Sequence, residues 1–154
     1  MIYKAPFTAI TTALYGAVSD NDCPIGIDWF DSAIPIEEIE ALFRDQEEFA
    51  YGVFGASDAD CTPNKDSAVW DASLQLEIYS NYKGRKVIAD KLEALLNYFS
   101  SDEGYNAIQR GLNENGFSLV SIRVGGLRVN LPLYSENGVW QSGGTDVVFR
   151  LNQM

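Results

Sequence analysis

The sequence predicts an α+β domain, an antiparallel or mixed sheet with helices packed on one face, and three observations carry that prediction. Trp70, Ala72, Leu74, Leu76 and Ile78 alternate with Asp71, Ser73, Gln75 and Glu77, the period of a strand covered on one side. Val87, Ile88, Leu92, Leu95, Leu96 and Phe99 follow at helical spacing, with Arg85, Lys86, Asp90, Lys91 and Glu93 pointing away. Two further strand-like runs, FSLVSIRV and TDVVFRLN, lie toward the C-terminal end. A chain of 154 residues has the length of one domain and can bury roughly 70% of its unfolded surface.

Taken in order, the elements read as follows. Pro6 stands where a first helical turn tolerates it, and Phe7, Ile10, Leu14 and Val18 share one face, which predicts a helix over residues 5 to 18. SDNDCPIGIDWFDSAIP is rich in turn formers, with a short extended piece expected at Ile25 to Phe30. IEEIEALF predicts a short amphipathic helix with Ile36, Ile39, Leu42 and Phe43 inward and the glutamates outward. EFAYGVFGAS reads as a strand in which Gly52 and Gly55 mark bends or close backbone approach. After the alternating strand and the helix beyond Gly84, SSDEGYNAIQRGLNENG is expected to be a polar connection. FSLVSIRV is then bent by Gly125-Gly126 into LRVNLPL, and YSENGVWQSGG is expected to project as a loop or hairpin before the last strand. The whole is one domain over residues 1 to 154, with an acidic, loop-rich insert at about 20–66.

Charge narrows the functions. The formal net charge is -11, and the excess is local: Asp20 to Asp66 holds thirteen acids against Arg44 and Lys65, while Ser67 onward holds nine against eight. Such a surface repels phosphates, so tight nucleic-acid binding is not expected; repulsion is useful where a nucleic acid must pass without sticking. No apolar run approaches the roughly 20 residues needed to span a bilayer, so no membrane association is expected. No export signal is read in MIYKAPFTAITTALYGAVS. Histidine is absent, which removes the commonest general base, the Ser-His and Cys-His arrangements and most zinc sites.

Few motifs suggest chemistry. Lys83-Gly84-Arg85-Lys86 joins a strand to a helix, as phosphate-binding loops do, but matches neither G-x-x-x-x-G-K-[ST] nor G-x-G-x-x-G. It reads as a hinge, and two cations at a helix start favour a nearby negative group, a partner's carboxylate as well as a phosphate. Asp58, Asp60 and Asp66, with Thr62 and Asn64 between the last two, place oxygens at every second position, making these aspartates the candidate ligands of a calcium or magnesium ion. Pro63 and Val69 stand where an EF-hand needs glycine and glutamate, so turn formation is the preferred reading. Cys23 and Cys61 are the only cysteines and are expected as free thiols, with a disulfide as the alternative. Trp70 belongs to a core face, whereas Trp29 and Trp140 lie in loop-like segments, either folded back or reserved for a partner.

Four stretches in order, AITTALYGAV, LQLEIYSNYKG, VIADKLEALLNYF and LRVNLPLYSENGVWQSGGTDVVFRLN, resemble the tail-terminator or tail-completion proteins of bacteriophages, the minor tail protein U-like group. The last strand carries the V-x-F-x-L pattern at Val147, Phe149 and Leu151. The resemblance implies a structural virion protein with no catalysis and no cofactor. Identical subunits would form a closed ring, a hexamer with a dodecamer as the alternative, that stops tail-tube growth and meets the head connector. Its partners would be itself, tail-tube and head-connector proteins, and DNA passing without specific binding. Its place would be the tail or neck of the virion, reached from the host cytoplasm during assembly. The acidic segment departs from the family, which leaves open a head-closure or connector-ring protein that binds the portal; a small carboxylate metal-binding module or an adaptor is the reading from another class. Under the ring reading, Arg85, Lys86, Arg123, Arg128 and Trp140 are the candidate subunit or partner contacts, with Arg150 and Asp146 nearby. Glu37, Glu38, Asp71 and Glu77 are the candidate DNA-repelling lumen.

Overall fold

The computed structural model describes residues 2–20, 22–31, 35–44, 48–135 and 138–154. Helix α1 (Phe7–Val18) starts at Pro6, whose carbonyl accepts from the Ile10 amide at 2.9 Å. Its buried stripe runs through Ala9, Ala13 and Ala17 beside Ile10, Leu14 and Val18. That stripe centres on the alanines, so Phe7, expected inward, lies on the rim and is 44% exposed. Strand β1 (Asp28–Phe30) falls within the extended piece expected there, and α2 (Ile36–Leu42) follows. Glu37 and Glu38 occupy its first turn, where the helix dipole favours anions. Ile39 and the capping Phe43 are buried, while Leu42, expected inward, is exposed where the helix ends. The expected inward side chain of Ile36 and the loop residues 136–137 fall outside the described residues.

The acidic segment is less loop-like than its composition suggests. Strand β2 (Ala50–Pro63) runs on through SDADCTP, interrupted by a bulge between Phe54 and Ser57. Gly52 and Gly55 are both sites of close approach: a Cβ on Gly52 would stand 2.3 Å from the Trp29 ring, and one on Gly55 2.9 Å from the Gln75 amide oxygen. Strand β3 (Ala68–Ser80) alternates buried and half-buried residues throughout, as predicted. Gly84, at φ +111°, provides the hinge into α3 (Lys86–Phe99), whose Ile88, Leu92, Leu95 and Phe99 are buried, with Leu96 at the rim.

The expected polar connection is instead a helix, α4 (Asp102–Asn113). Ser101 caps it by accepting from the Gly104 amide at 3.2 Å, Asp102 and Glu103 open it, and Arg110 sits in its last turn, all favourable to its dipole. Ile108 and Leu112 face the core. Its glycines serve packing: a Cβ on Gly111 would stand 3.0 Å from Ala13 of α1, and one on Gly104 2.1 Å from the Tyr98 carbonyl oxygen.

Strands β4 (Phe117–Val124), β5 (Arg128–Val129), β6 (Leu133–Ser135) and β7 (Gly138–Gln153) complete the chain. The strand order is β1-β2-β3-β7-β4, parallel between β1 and β2 and antiparallel elsewhere. β3 lies along one edge of β7, and β4, β5 and β6 succeed one another along the other. YSENGVWQSGG therefore enters β7 through a hairpin with β6.

Trp70, Leu74, Leu76 and Ile78 of β3 and Val147, Phe149 and Leu151 of β7 share one face of the sheet and pack with the apolar stripes of α1, α3 and α4 in the main core. This bears out the α+β class. The placement of helices differs at α2: Ile39 and Phe43 pack with Trp140, Phe30, Phe49 and Tyr51 in a second cluster. Tyr51 pairs with Tyr79, out of phase with the buried residues of β3, so that cluster lies on the opposite face. β1 divides its aromatic pair between the two, Trp29 in the main core and Phe30 in the second cluster. No helix among the described residues is long and apolar enough to cross a membrane.

Candidate functional site

The sheet face opposite α1, α3 and α4, overlain by α2 around Tyr51 and Trp140, carries most of the charged candidates. Register places Asp58 and Asp60 of β2, Asp71, Ser73, Gln75 and Glu77 of β3, and Asp146 and Arg150 of β7 on this face. Arg123 of β4 lies opposite Val148 and Arg128 of β5 opposite Gly144, on the same face. Five carboxylates thus meet three guanidiniums, leaving the face negative by two.

Two of the acids are neutralised within the chain. Arg128 pairs with Glu77, which also accepts from the Gln75 amide at 2.7 Å, while the Arg128 Nε donates to Asn130 Oδ1 at 2.9 Å. Arg150 Nε donates to Asp71 Oδ1 at 2.9 Å, and this hydrogen bond holds the guanidinium above its ordinary pKa. Asp71 and Glu77, expected as free lumen charges, are therefore tied to arginines that were themselves candidates for contacts outside the subunit. Asp58 accepts from Ser73 Oγ at 2.9 Å. Asp58, Asp60 and Asp146 have no cationic partner among the described residues.

The other candidates scatter. Arg85 is the residue before α3, with no side-chain capping bond, and Lys86 pairs with Asp90 one turn on at 2.9 Å, which raises the ammonium pKa. Arg123 is exposed and has no ion pair among the described residues. Glu37 and Glu38 are exposed on α2, the helix whose Ile39 and Phe43 pack on the sheet face that carries Asp71 and Glu77. Trp140 is buried in the second cluster, edge-on to Phe49 at 5.6 Å, so it serves the fold and is not presented to a partner. Trp29 is likewise folded back, stacked on Phe54 at 5.6 Å. Asp58 and Asp60 stand on a strand while Asp66 lies in the turn beyond it, and no group of three potential metal ligands occurs among the described residues. Both cysteines are free thiols; burial pushes the Cys23 thiol up.

Two apolar surfaces escaped the sequence reading. Leu131, Leu133, Tyr134 and Val139, in or beside the β6–β7 hairpin, are exposed, Tyr134 at 80%, as is Leu127 just before β5. At the far side of the sheet, a groove of about 500 Å³ is lined by Phe7, Thr8, Thr11, Thr12 and Tyr15 of α1 with Asp31 and Phe54. The signal for the first was Pro132 within LPLY, which breaks strand pairing and leaves its neighbours uncovered.

No family profile matches the chain, and no curated protein matches it. Among solved structures, a chain of the virion of a native gene transfer agent particle aligns over 98% of this chain and 98% of its own length, at 17% identity and a TM-score of 0.45. Likeness at that level transfers no function.

Proposed function

We infer that this chain is a structural subunit of a phage-like tail or neck. Copies of it close into a ring that terminates the tail tube and joins it to the head connector, and it transforms no molecule. One observation carries the reading: a broad charged sheet face, negative by two among its strand residues, overlain by α2 around Tyr51 and Trp140 and backed by a helix-covered core. A wall of that kind suits a water-filled passage, because fixed carboxylates repel a phosphate backbone, while arginines held by intrachain pairs are not free to grip it. The order of α1, β3, α3 and β7 agrees with the four stretches that resemble tail-terminator proteins.

The test is electron microscopy and native mass measurement of the purified protein, followed by binding to tail-tube and portal proteins. Rings of about six subunits of 17.0 kDa that bind tail tubes are expected. A protein that stays monomeric at high concentration and beside virion components, or that turns over a substrate, refutes the reading.

A further inference from the structure

We propose that successive copies of this chain join by their sheet edges, the outer edge of β4 in one copy adding to the free edge of β2 in the next as an antiparallel strand. The proposal rests on the ring reading and names the two edges that meet.

Both edges are bare and stand at the same height. β1 pairs with β2 only over residues 51–53, so among the described residues the stretch 57–62 has β3 on one side and no strand on the other. Its residues are exposed or half-buried. β4 ends the strand order at the other side, with β7 as its strand neighbour. Register sets Asp58, Ser73, Val148 and Arg123 in one row across β2, β3, β7 and β4, so the two edges bound the same four-stranded stretch. Unpaired backbone groups along such edges are a template for another strand. The three pairings between them are antiparallel, so β4 runs opposite to β2. Copies related by rotation about a ring axis keep one face inward and one strand direction, so β4 of one copy meets β2 of the next antiparallel and the sheet continues.

The side chains select a second copy as the partner. On the charged face, residues 57–62 of β2 carry Asp58 and Asp60 and no base, whereas Arg123 is the one charged residue of β4, with Asp146 one strand further in on β7. Asp58, Asp60 and Arg123 have no ion pair among the described residues. On the helix-covered face, Ala59 and Cys61 of β2 and Ile122 and Val124 of β4 are only partly buried against the main core. Joining the edges therefore brings Arg123 beside the two aspartates on one face and covers both apolar pairs on the other. A charge on a sheet edge ordinarily guards it against association. Here the guards differ in sign, so like edges repel and unlike edges attract, which favours the head-to-tail contact that a ring requires.

Two variants test the pairing: Arg123→Asp, which leaves both edges acidic, and Asp58→Arg with Asp60→Arg, which leaves both basic. All three positions are exposed, and circular dichroism checks that each variant is folded. By analytical ultracentrifugation, each variant alone is expected to be a monomer and their equimolar mixture to assemble, because every acidic edge then finds a basic one. Hydrogen–deuterium exchange on wild-type rings reads the backbone independently: the amides of residues 57–62 and 121–124 should exchange more slowly than in the Arg123→Asp monomer, since edge N–H groups gain partners. If wild type forms rings and either variant alone does too, if the mixture stays monomeric, or if those amides gain no protection in the ring, the edge pairing is overturned while the ring stands. A wild type that never associates overturns both.

Discussion

Gly52→Ala is the substitution whose cost the structure fixes most directly. Gly52 lies beside Trp29 in the parallel pairing of β1 with β2, and the added Cβ would stand 2.3 Å from Cε3, 2.4 Å from Cζ3 and 2.6 Å from Cδ2 of the indole. Carbon atoms in contact prefer about 3.5–4.0 Å, so the ring must retreat by more than about 1 Å. It has little room, being 3% exposed and stacked on Phe54. The alternative is for β1 to separate from β2, at the expense of the pairing of residues 28–30 with 51–53. Overpacking of this kind costs about 1–3 kcal/mol, and the lower entropy of the unfolded alanine chain returns about 0.4–1 kcal/mol, leaving a net loss of about 1–2 kcal/mol. Gly16→Ala is the control: nothing lies within 4 Å of its Cβ and it sits inside α1, so a gain of about 0.5–1 kcal/mol is expected. Urea unfolding at one protein concentration, followed by tryptophan fluorescence, measures both, with the midpoint shifting and the slope unchanged. A neutral or stabilised Gly52→Ala would mean that the indole does not cover this backbone, and the placement of Trp29 would be wrong.

Three further outcomes follow from local geometry. In a double-mutant cycle of Arg128→Ala and Glu77→Gln, the coupling should be about 0.5–1.5 kcal/mol and should shrink as salt is raised, because one partner is largely enclosed and the other half exposed. Ser101→Ala should cost about 1 kcal/mol by urea unfolding through loss of the cap on α4, and Ser101→Asp should restore most of it. Burial, with Tyr79 adding to it, pushes the Tyr51 phenol from 10 up to about 12. The folded state therefore keeps a proton that the unfolded state releases, so stability is level below about pH 10 and falls from there to about pH 12. Tyr51→Phe should flatten part of that fall, and an unchanged slope would place Tyr51 in solvent.

Much of the fold is legible because its signals are local. The alternation of β3 and the apolar spacing of α3 reflect one covered sheet face and one buried helix stripe, and both elements stand where that spacing puts them. The failures are those of composition read against period. α4 has few apolar residues and two glycines, so it reads as a connection, yet the glycines are there to bring it against α1 and the Tyr98 carbonyl. SDADC reads as turn because aspartate favours turns, yet at a period of two it places Asp58 and Asp60 on one face of β2 and Ala59 and Cys61 on the other. Trp140 was undecidable along the chain, since what buries it is Ile39 and Phe43, about a hundred residues earlier.

The same distinction decides what the open face can do. A sequence lists charges one by one, but the potential of a wall depends on which of them remain after neighbouring strands have paired. Asp71 and Glu77 look the most exposed in a linear reading because they alternate with buried residues, and β7 and β5 bring Arg150 and Arg128 to them. Under the ring reading, the field that passing DNA would meet is therefore set by Asp58, Asp60 and Asp146, offset by the unpaired Arg123; Asp60 stands level with Asp71, and none of the three acids has a cationic partner among the described residues. The paired arginines cross-link β7 and β5 to β3. A charge spent on holding strands together is not available to hold DNA, and this separation lets a negatively lined face be rigid without being adhesive.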